Sequence, residues 1–176
     1  VNRVVVLAWG NPSRGDDAIG PRLAEALEAQ AARHPEWARH AFVTDFQLQP
    51  EHALDLEGAD LVLFVDASAT APAPFAFTRV GVSLDRSFTT HALSPQALLA
   101  VRAGLAGEPV PPAWLLAVRG EGFELGQPMR PAAREGLTRA LELAARLLSR
   151  PDPAYWERES TPTPAFVAST RSTRLA

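Results

Sequence analysis

An α/β fold, a single domain whose twisted, mostly parallel five-stranded sheet is flanked by helices on both faces, is predicted by three observations. Short runs of β-branched and aliphatic residues alternate along the chain with apolar stripes of helical period, which argues for strand–helix units and a parallel sheet. Two of the runs, RVVVLAWG (Arg3 to Gly10) and ADLVLFVDA (Ala59 to Ala67), are apolar at successive positions, as strands covered on both faces must be. A length of 176 residues suits one domain, and 47% apolar content with only 7% aromatic implies a core made mainly of Leu, Val and Ala.

The elements follow in order. The first run is stopped by Gly10 and leads through a loop to a helix in which Ile19, Leu23, Leu27 and Ala31 share a face, with Pro21 tolerable in the first turn and His34-Pro35 closing it. HAFVTDF (His40 to Phe46) is the second strand, and Gln49 to Ala59 a short helix stopped by Gly58. The central strand ends at Asp66, and FAFTRVGV (Phe75 to Val82) alternates as a fourth strand would. In LSPQALLAVRAG, Ser94 is placed as an N-cap, Pro95 at the first helical position and Gly104 past the end. Ala113 to Gly120 is the fifth strand, and Pro131 to Ser149 the last helix, with a stripe of Leu137, Leu141, Ala144, Ala145 and Leu148. The domain is therefore expected to occupy residues 1–150. Residues 151–176, rich in Pro, Ser, Thr and Arg and without periodicity, are expected to form a flexible tail, with Tyr155, Trp156 and Phe166 as side chains that could dock it.

Composition removes several function classes. The chain has no cysteine, hence no disulfide, thiolate metal site or cysteine nucleophile. All 17 basic residues are arginine, so a Walker-type phosphate loop and a lysine-dependent phosphate-accepting receiver are excluded. A formal charge of −3 and scattered arginines favour neither nucleic acid nor an anionic membrane as partner. No apolar run approaches the ~18 residues of a membrane span, and the amino-terminal residues lack the ordered parts of an export signal. A cytoplasmic protein is the expectation.

The chemistry concentrates in GNPSRGDDAIG (Gly10 to Gly20). Ligands of open parallel sheets bind beyond the carboxyl ends of the strands, so if the first and third strands are neighbours this loop and Asp66 share a crevice. Carboxylates brought close repel, and both stay ionised only with a cation or donors between them. His91, in TTHALSPQ after the fourth strand, would sit on another strand-end loop and offer a third ligand. Each residue also has a plain structural role available. One of Asp16 and Asp17, by preference Asp16, can cap the helix; Asp66 can anchor its loop; His91 can cap the helix that follows it. Asp66, Ser68 and His91 do not make a convincing hydrolytic triad, because Ser68 is in no GxSxG elbow. His34, His40 and His52 have no spacing that suggests a site.

Four stretches in this order, VLAWGNPSRGDDAIGPRLAEAL, DFQLQPEHALDLEGADLVLFVDAS, THALSPQALLA and LLAVRGEGFELGQPM, resemble the hydrogenase maturation endopeptidases over residues 3–149. The first is the specific one: Gly-Asn, a four-residue loop, an acidic pair, then a small residue, an apolar one and Gly. The resemblance implies an α/β endopeptidase that cuts a C-terminal extension from the nickel-loaded precursor of a nickel-iron hydrogenase large subunit, with no organic cofactor. It implies three metal-binding side chains, which fall on Asp17, Asp66 and His91, and nickel that belongs to the precursor. With Asp16, which could orient water, these are the expected catalytic residues. Arg14 and Arg119 are weaker candidates for holding the substrate. This chain has Asp17 where several members have Glu, Pro12 and Ser13 in place of apolar loop residues, and DFQLQPE where others have Asp-Gly-Gly-Thr, which puts Asp45 and Gln47 at the edge of the groove and points to an altered substrate specificity. A non-catalytic escort that senses nickel through the same three side chains is the alternative.

Overall fold

The computed structural model describes residues 1–83, 93–105, 107 and 109–162. Its strands are β1 (Val4–Trp9), β2 (Ala41–Asp45), β3 (Leu61–Ser68), β4 (Phe75–Val80) and β5 (Ala113–Arg119). Its helices are α1 (Ile19–Ala31), α2 (His52–Asp55), α3 (Pro95–Gly104), α4 (Pro131–Ser149) and α5 (Pro153–Glu159), with one-turn 3-10 helices at Gly15–Ala18 and Pro35–Trp37. The sheet order is β2-β1-β3-β5-β4, parallel throughout except for β4, which runs antiparallel to β5. The expected sheet and the adjacency of the first and third strands are thus present.

Alternation of side chains along the strands divides the core in two. Val4, Val6 and Ala8 of β1 and Leu61, Leu63 and Val65 of β3 pack with α1 and α4 through Leu23, Leu27, Ala140, Leu143 and Leu147. Val5 and Leu7 of β1 and Val62 and Phe64 of β3 pack with α2 and α3 through Ala53, Leu56, Leu98 and Leu99. Because β1, β3 and β5 are covered on both faces, apolar residues stand at successive positions rather than alternating. Ser94 caps α3 as expected, its hydroxyl accepting the Ala97 N–H at 3.1 Å with Pro95 at the first helical position. His40 ties the two ends of one layer: its Nδ1 accepts the Val4 N–H at 3.2 Å, so its Nε2 carries the proton donated to the Leu148 carbonyl at 3.0 Å.

The tail expectation needs correction at its start. Residues 153–159 form α5, and Trp156 is fully buried, its indole N–H donating to the carbonyls of Leu147 and Arg150. Its ring meets Trp114 edge-on at 5.2 Å and Phe77 at 6.2 Å. The chain then pairs with the outer edge of β4, Thr161 donating its N–H to the Phe77 carbonyl at 2.6 Å while its hydroxyl accepts the Phe77 N–H. Burial of a large aromatic outweighs the ordering cost of a helix too short to show periodicity. The body of the domain therefore runs past residue 150, and Phe166 lies outside the described residues.

Candidate active site

The carboxyl ends of β1, β2 and β3 form one rim. The register pairs Trp9 with Asp45, and pairs Ala8 with Val65, so one step further Trp9 lies beside Asp66. Neighbours across parallel strands point to the same face, which puts Asp45, Trp9 and Asp66 in a row on the side covered by α2 and α3. The loop after β1 folds back over this row. Gly10 (φ +143°) and Gly20 permit the fold-back. A Cβ on Gly10 would collide with the Asp17 carbonyl, and one on Gly20 with the Trp9 carbonyl. These two glycines of the opening motif are spacers for close backbone approach.

Asp17 and Asp66 are brought together. The Asp17 carboxylate accepts the Asn11 N–H at 2.9 Å and is half-buried. Burial pushes the Asp66 carboxyl up to about 7; the Ala67 backbone N–H opposes the rise, the Asp17 charge adds to it and a hydrogen bond with the Trp9 side chain opposes it. A carboxyl carried that far from its ordinary value by burial and a like charge marks a functional-site candidate. Two carboxylates offer oxygen donors to a divalent cation, and a borderline ion such as nickel would call for an imidazole beside them. Among the described residues no group of three acidic or histidine side chains is placed to hold an ion. His91, the third expected ligand, lies outside the described residues. The topological reason for putting it at this rim does not hold, because β4 is antiparallel and its carboxyl end meets the amino end of β5.

Asp16 neither caps α1 nor faces the rim, so its expected helix-capping role is corrected. It is 0% exposed, with Oδ2 accepting the N–H groups of Glu121 and Gly122 at 2.8 and 3.0 Å and Oδ1 that of Arg130 at 2.8 Å. Burial works to raise its pKa, but these three bonds, helped by the Arg130 charge, outweigh it and hold the carboxyl below its ordinary value. The same seam includes Gly15 N–H to the Gln127 carbonyl, Asp16 N–H to the Gly122 carbonyl and Gly126 N–H to the Ser13 carbonyl. Asp16 is therefore a strut between the opening loop and residues 120–130. Its neighbour Asp17 faces the opposite way, toward Asn11.

The two arginine candidates are committed to nearby loops. Arg14 Nε donates to the Phe123 carbonyl at 3.2 Å; Arg119 donates to the Ala71 carbonyl at 3.0 Å and lies 3.7 Å from Glu121. Ser68 folds the turn after β3, its Oγ accepting the Ala71 N–H at 3.0 Å. Sequence reasoning missed His52, whose Nε2 stands 3.4 Å from Asp45 Oδ2. It also missed the bond between Trp9 and Asp66, because nothing in residue spacing announces contacts between separate strand ends.

No protein-family model and no curated relative matches the chain. Solved structures do. A [NiFe] hydrogenase maturation protease HycI from Thermococcus kodakarensis KOD1 superposes with a TM-score of 0.66 at 22% identity, covering 84% of this chain and 92% of its own. The hydrogenase maturating endopeptidase HybD from E. coli gives 0.62 at 25% identity, with 82% and 91% covered. The E. coli endopeptidase solved in solution gives 0.62 at 23% identity over the same shares of 82% and 91%. In fold, and in the motifs quoted from its sequence, the chain is similar to the hydrogenase maturation endopeptidases.

Proposed function

We propose that the chain is an endopeptidase that removes a C-terminal extension from the nickel-loaded precursor of a nickel-iron hydrogenase large subunit. The observation that carries the reading is the Asp17–Asp66 pair at the strand ends, two carboxylates close enough to perturb each other beside a strand-end loop that the resemblance associates with this chemistry. The names of the structural neighbours support a processing endopeptidase. The cytoplasm is the compartment proposed. Among the described residues, no helix is long and apolar enough to cross a membrane.

In this reading the nickel arrives with the substrate. Asp17 and Asp66 reach it with oxygen donors, His91 supplies an imidazole nitrogen, and the scissile peptide is thereby held beside the rim. A bound divalent ion polarises a carbonyl or activates water, the general route to metal-assisted amide hydrolysis. The chain itself contributes position: Asn11 N–H orients Asp17, Trp9 holds Asp66, and Asp16 fixes the loop that carries Asp17. Docking through nickel makes cutting conditional on loading, since a precursor without the ion has nothing for the pair to hold.

Intact masses of the large subunit, measured after mixing the purified protein with nickel-loaded and nickel-free precursor, test the reading. Loss of a short C-terminal piece from the loaded form alone is the expected result. Binding with no change in mass would replace the peptidase with an escort. Undiminished cleavage by both Asp66→Ala and His91→Ala would remove the metal-docking mechanism.

A further inference from the structure

On the Asp16 side of the opening loop lies a groove of about 300 Å³, with Gly122, Pro128, Met129, Arg130, Pro131 and Arg134 among its lining residues. Asp16 fixes its walls, since one carboxylate takes the N–H groups of both Gly122 and Arg130. Three arginines meet here, one from the opening loop and two from the start of α4, and each is held by backbone. Arg14 Nε donates to the Phe123 carbonyl at 3.2 Å, and Arg134 donates to the Met129 carbonyl at 2.7 Å. The Arg130 guanidinium lies so close over Gly122 that a Cβ there would collide with it.

No carboxylate answers these charges. Nearby ion pairs join Arg119 to Glu121 and Arg139 to Glu135, and among the described residues none joins Arg14, Arg130 or Arg134 to an acidic side chain. Asp16 is the acid that Arg130 feels from beneath, but it is buried and already shared among three backbone N–H groups. Glu124, exposed on the wall, is a single negative charge against the three arginines. A guanidinium already held in place offers a planar fork of donors that fits a carboxylate through two bonds, and less freedom is lost when it binds. The rest of the wall includes Pro128, Met129 and Pro131, and Leu125 on the same loop is 72% exposed.

We infer that this groove docks an extended acidic segment of a partner protein, with carboxylates on Arg130, Arg134 and Arg14 and an aliphatic side chain against Pro128, Met129 and Leu125. Fixed arginine clusters read acidic motifs in this way, and the apolar wall selects a peptide over a bare anion. Neither nickel nor Asp66 enters the contact, so it holds whether or not the chain cuts a precursor.

The probe is a short capped peptide of glutamate pairs separated by leucine, labelled with fluorescein and followed by anisotropy against the full chain at low ionic strength. It should bind saturably, and its glutamine counterpart should not. Arg130→Glu combined with Arg134→Glu should weaken binding roughly tenfold or more. Arg33→Glu combined with Arg39→Glu is an equal charge change at the other end of α4, where Trp37 bonds Ser149 about 27 Å away at ~1.5 Å per residue, and should alter binding less than about twofold. Gly122→Ala, which displaces the Arg130 guanidinium and leaves the charge unchanged, should weaken binding roughly threefold. Should circular dichroism show that the glutamate variant fails to fold, Arg130→Gln combined with Arg134→Gln replaces it, with roughly fivefold weaker binding expected. Absence of saturable binding, or an equal loss in the Arg33 and Arg39 variant, overturns the inference. Full displacement of the peptide by millimolar inorganic phosphate also overturns it, by making the groove a small-anion site.

Discussion

The acidic rim and the aromatic cluster under α5 solve opposite problems. Under α5, Trp114, Trp156 and Phe77 meet at edge-on and stacked geometries of 5.2 to 6.5 Å, and the indole N–H of Trp156 finds backbone carbonyls. The indole N–H of Trp114 likewise donates to Ser160 Oγ at 3.1 Å. At the rim, Asp66 is half-buried beside the like charge of Asp17, and its carboxyl is pushed up to about 7. The first region stabilises the fold; the second takes stability from it, the trade that functional sites make. Asp16 shows that acidity by itself is not the difference. It has no exposed surface, yet three backbone N–H groups receive it and its pKa falls.

Four experiments break or sharpen that contrast. The largest effect belongs to the rim: Asp17→Ala or Asp66→Ala should lower cleavage of nickel-loaded precursor by roughly 10³-fold or more, the scale of losing a metal or electrostatic anchor. Thermal stability should hold or rise, and an accompanying collapse in Tm would make the rim a structural element like the aromatic cluster. Trp156→Ala should do the reverse. It should cost about 3–5 kcal/mol in denaturant unfolding, the usual penalty for emptying a large aromatic site, while the folded fraction still cleaves at low temperature.

Asp16→Asn comes third, at about 1–3 kcal/mol, because an amide cannot accept all three N–H groups without turning a donor toward one of them. Linkage gives it a pH signature. The native pKa is below the unfolded value, so the Asp16 contribution is present above the unfolded value near 3.8 and is lost as pH falls through the lower native one. Acid-denaturation profiles should therefore show a shallower loss at low pH in Asp16→Asn than in wild type. The smallest effect has the opposite sign. Asp66 is raised from 3.8 to about 7, so the native state binds the extra proton between those values and the stability of metal-free protein should fall as pH rises through that window. The slope should be worth on the order of 1–2 kcal/mol after allowance for solvent screening, and Asp66→Asn should abolish it. A profile that is flat from pH 4 to 7 in the wild type would mean that the Asp66 carboxyl is not raised above its ordinary value.

Much of this organisation is legible along the chain. The strands at residues 4–9, 61–68 and 113–119 stand out because burial on both faces demands continuous apolar runs, and α3 was marked by Ser94-Pro95. The same signature stands at Asp152-Pro153, where the Asp152 carboxylate accepts the Tyr155 N–H at 2.6 Å, but a seven-residue helix has too few turns for a stripe and the surrounding composition reads as tail. At the site, the acidic pair and the strand-ending aspartate are visible as residue types at expected places. Which member of the pair faces the rim is not, since adjacent residues in a one-turn helix diverge in direction according to what each finds to bond.

The sequence by itself determined the α/β class, the strand positions and those of the helices up to residue 149, and the motif that resembles the maturation endopeptidases, because apolar period, caps and glycine spacing are local properties. Tertiary structure alone decided that β4 runs against its neighbours, that Asp16 is a strut and Asp17 a rim residue, and that His52 stands behind Asp45. Those outcomes depend on partners brought from residues far away in the chain, whose backbone N–H groups, ring nitrogens and charges set the energy of each carboxylate only after the sheet has assembled.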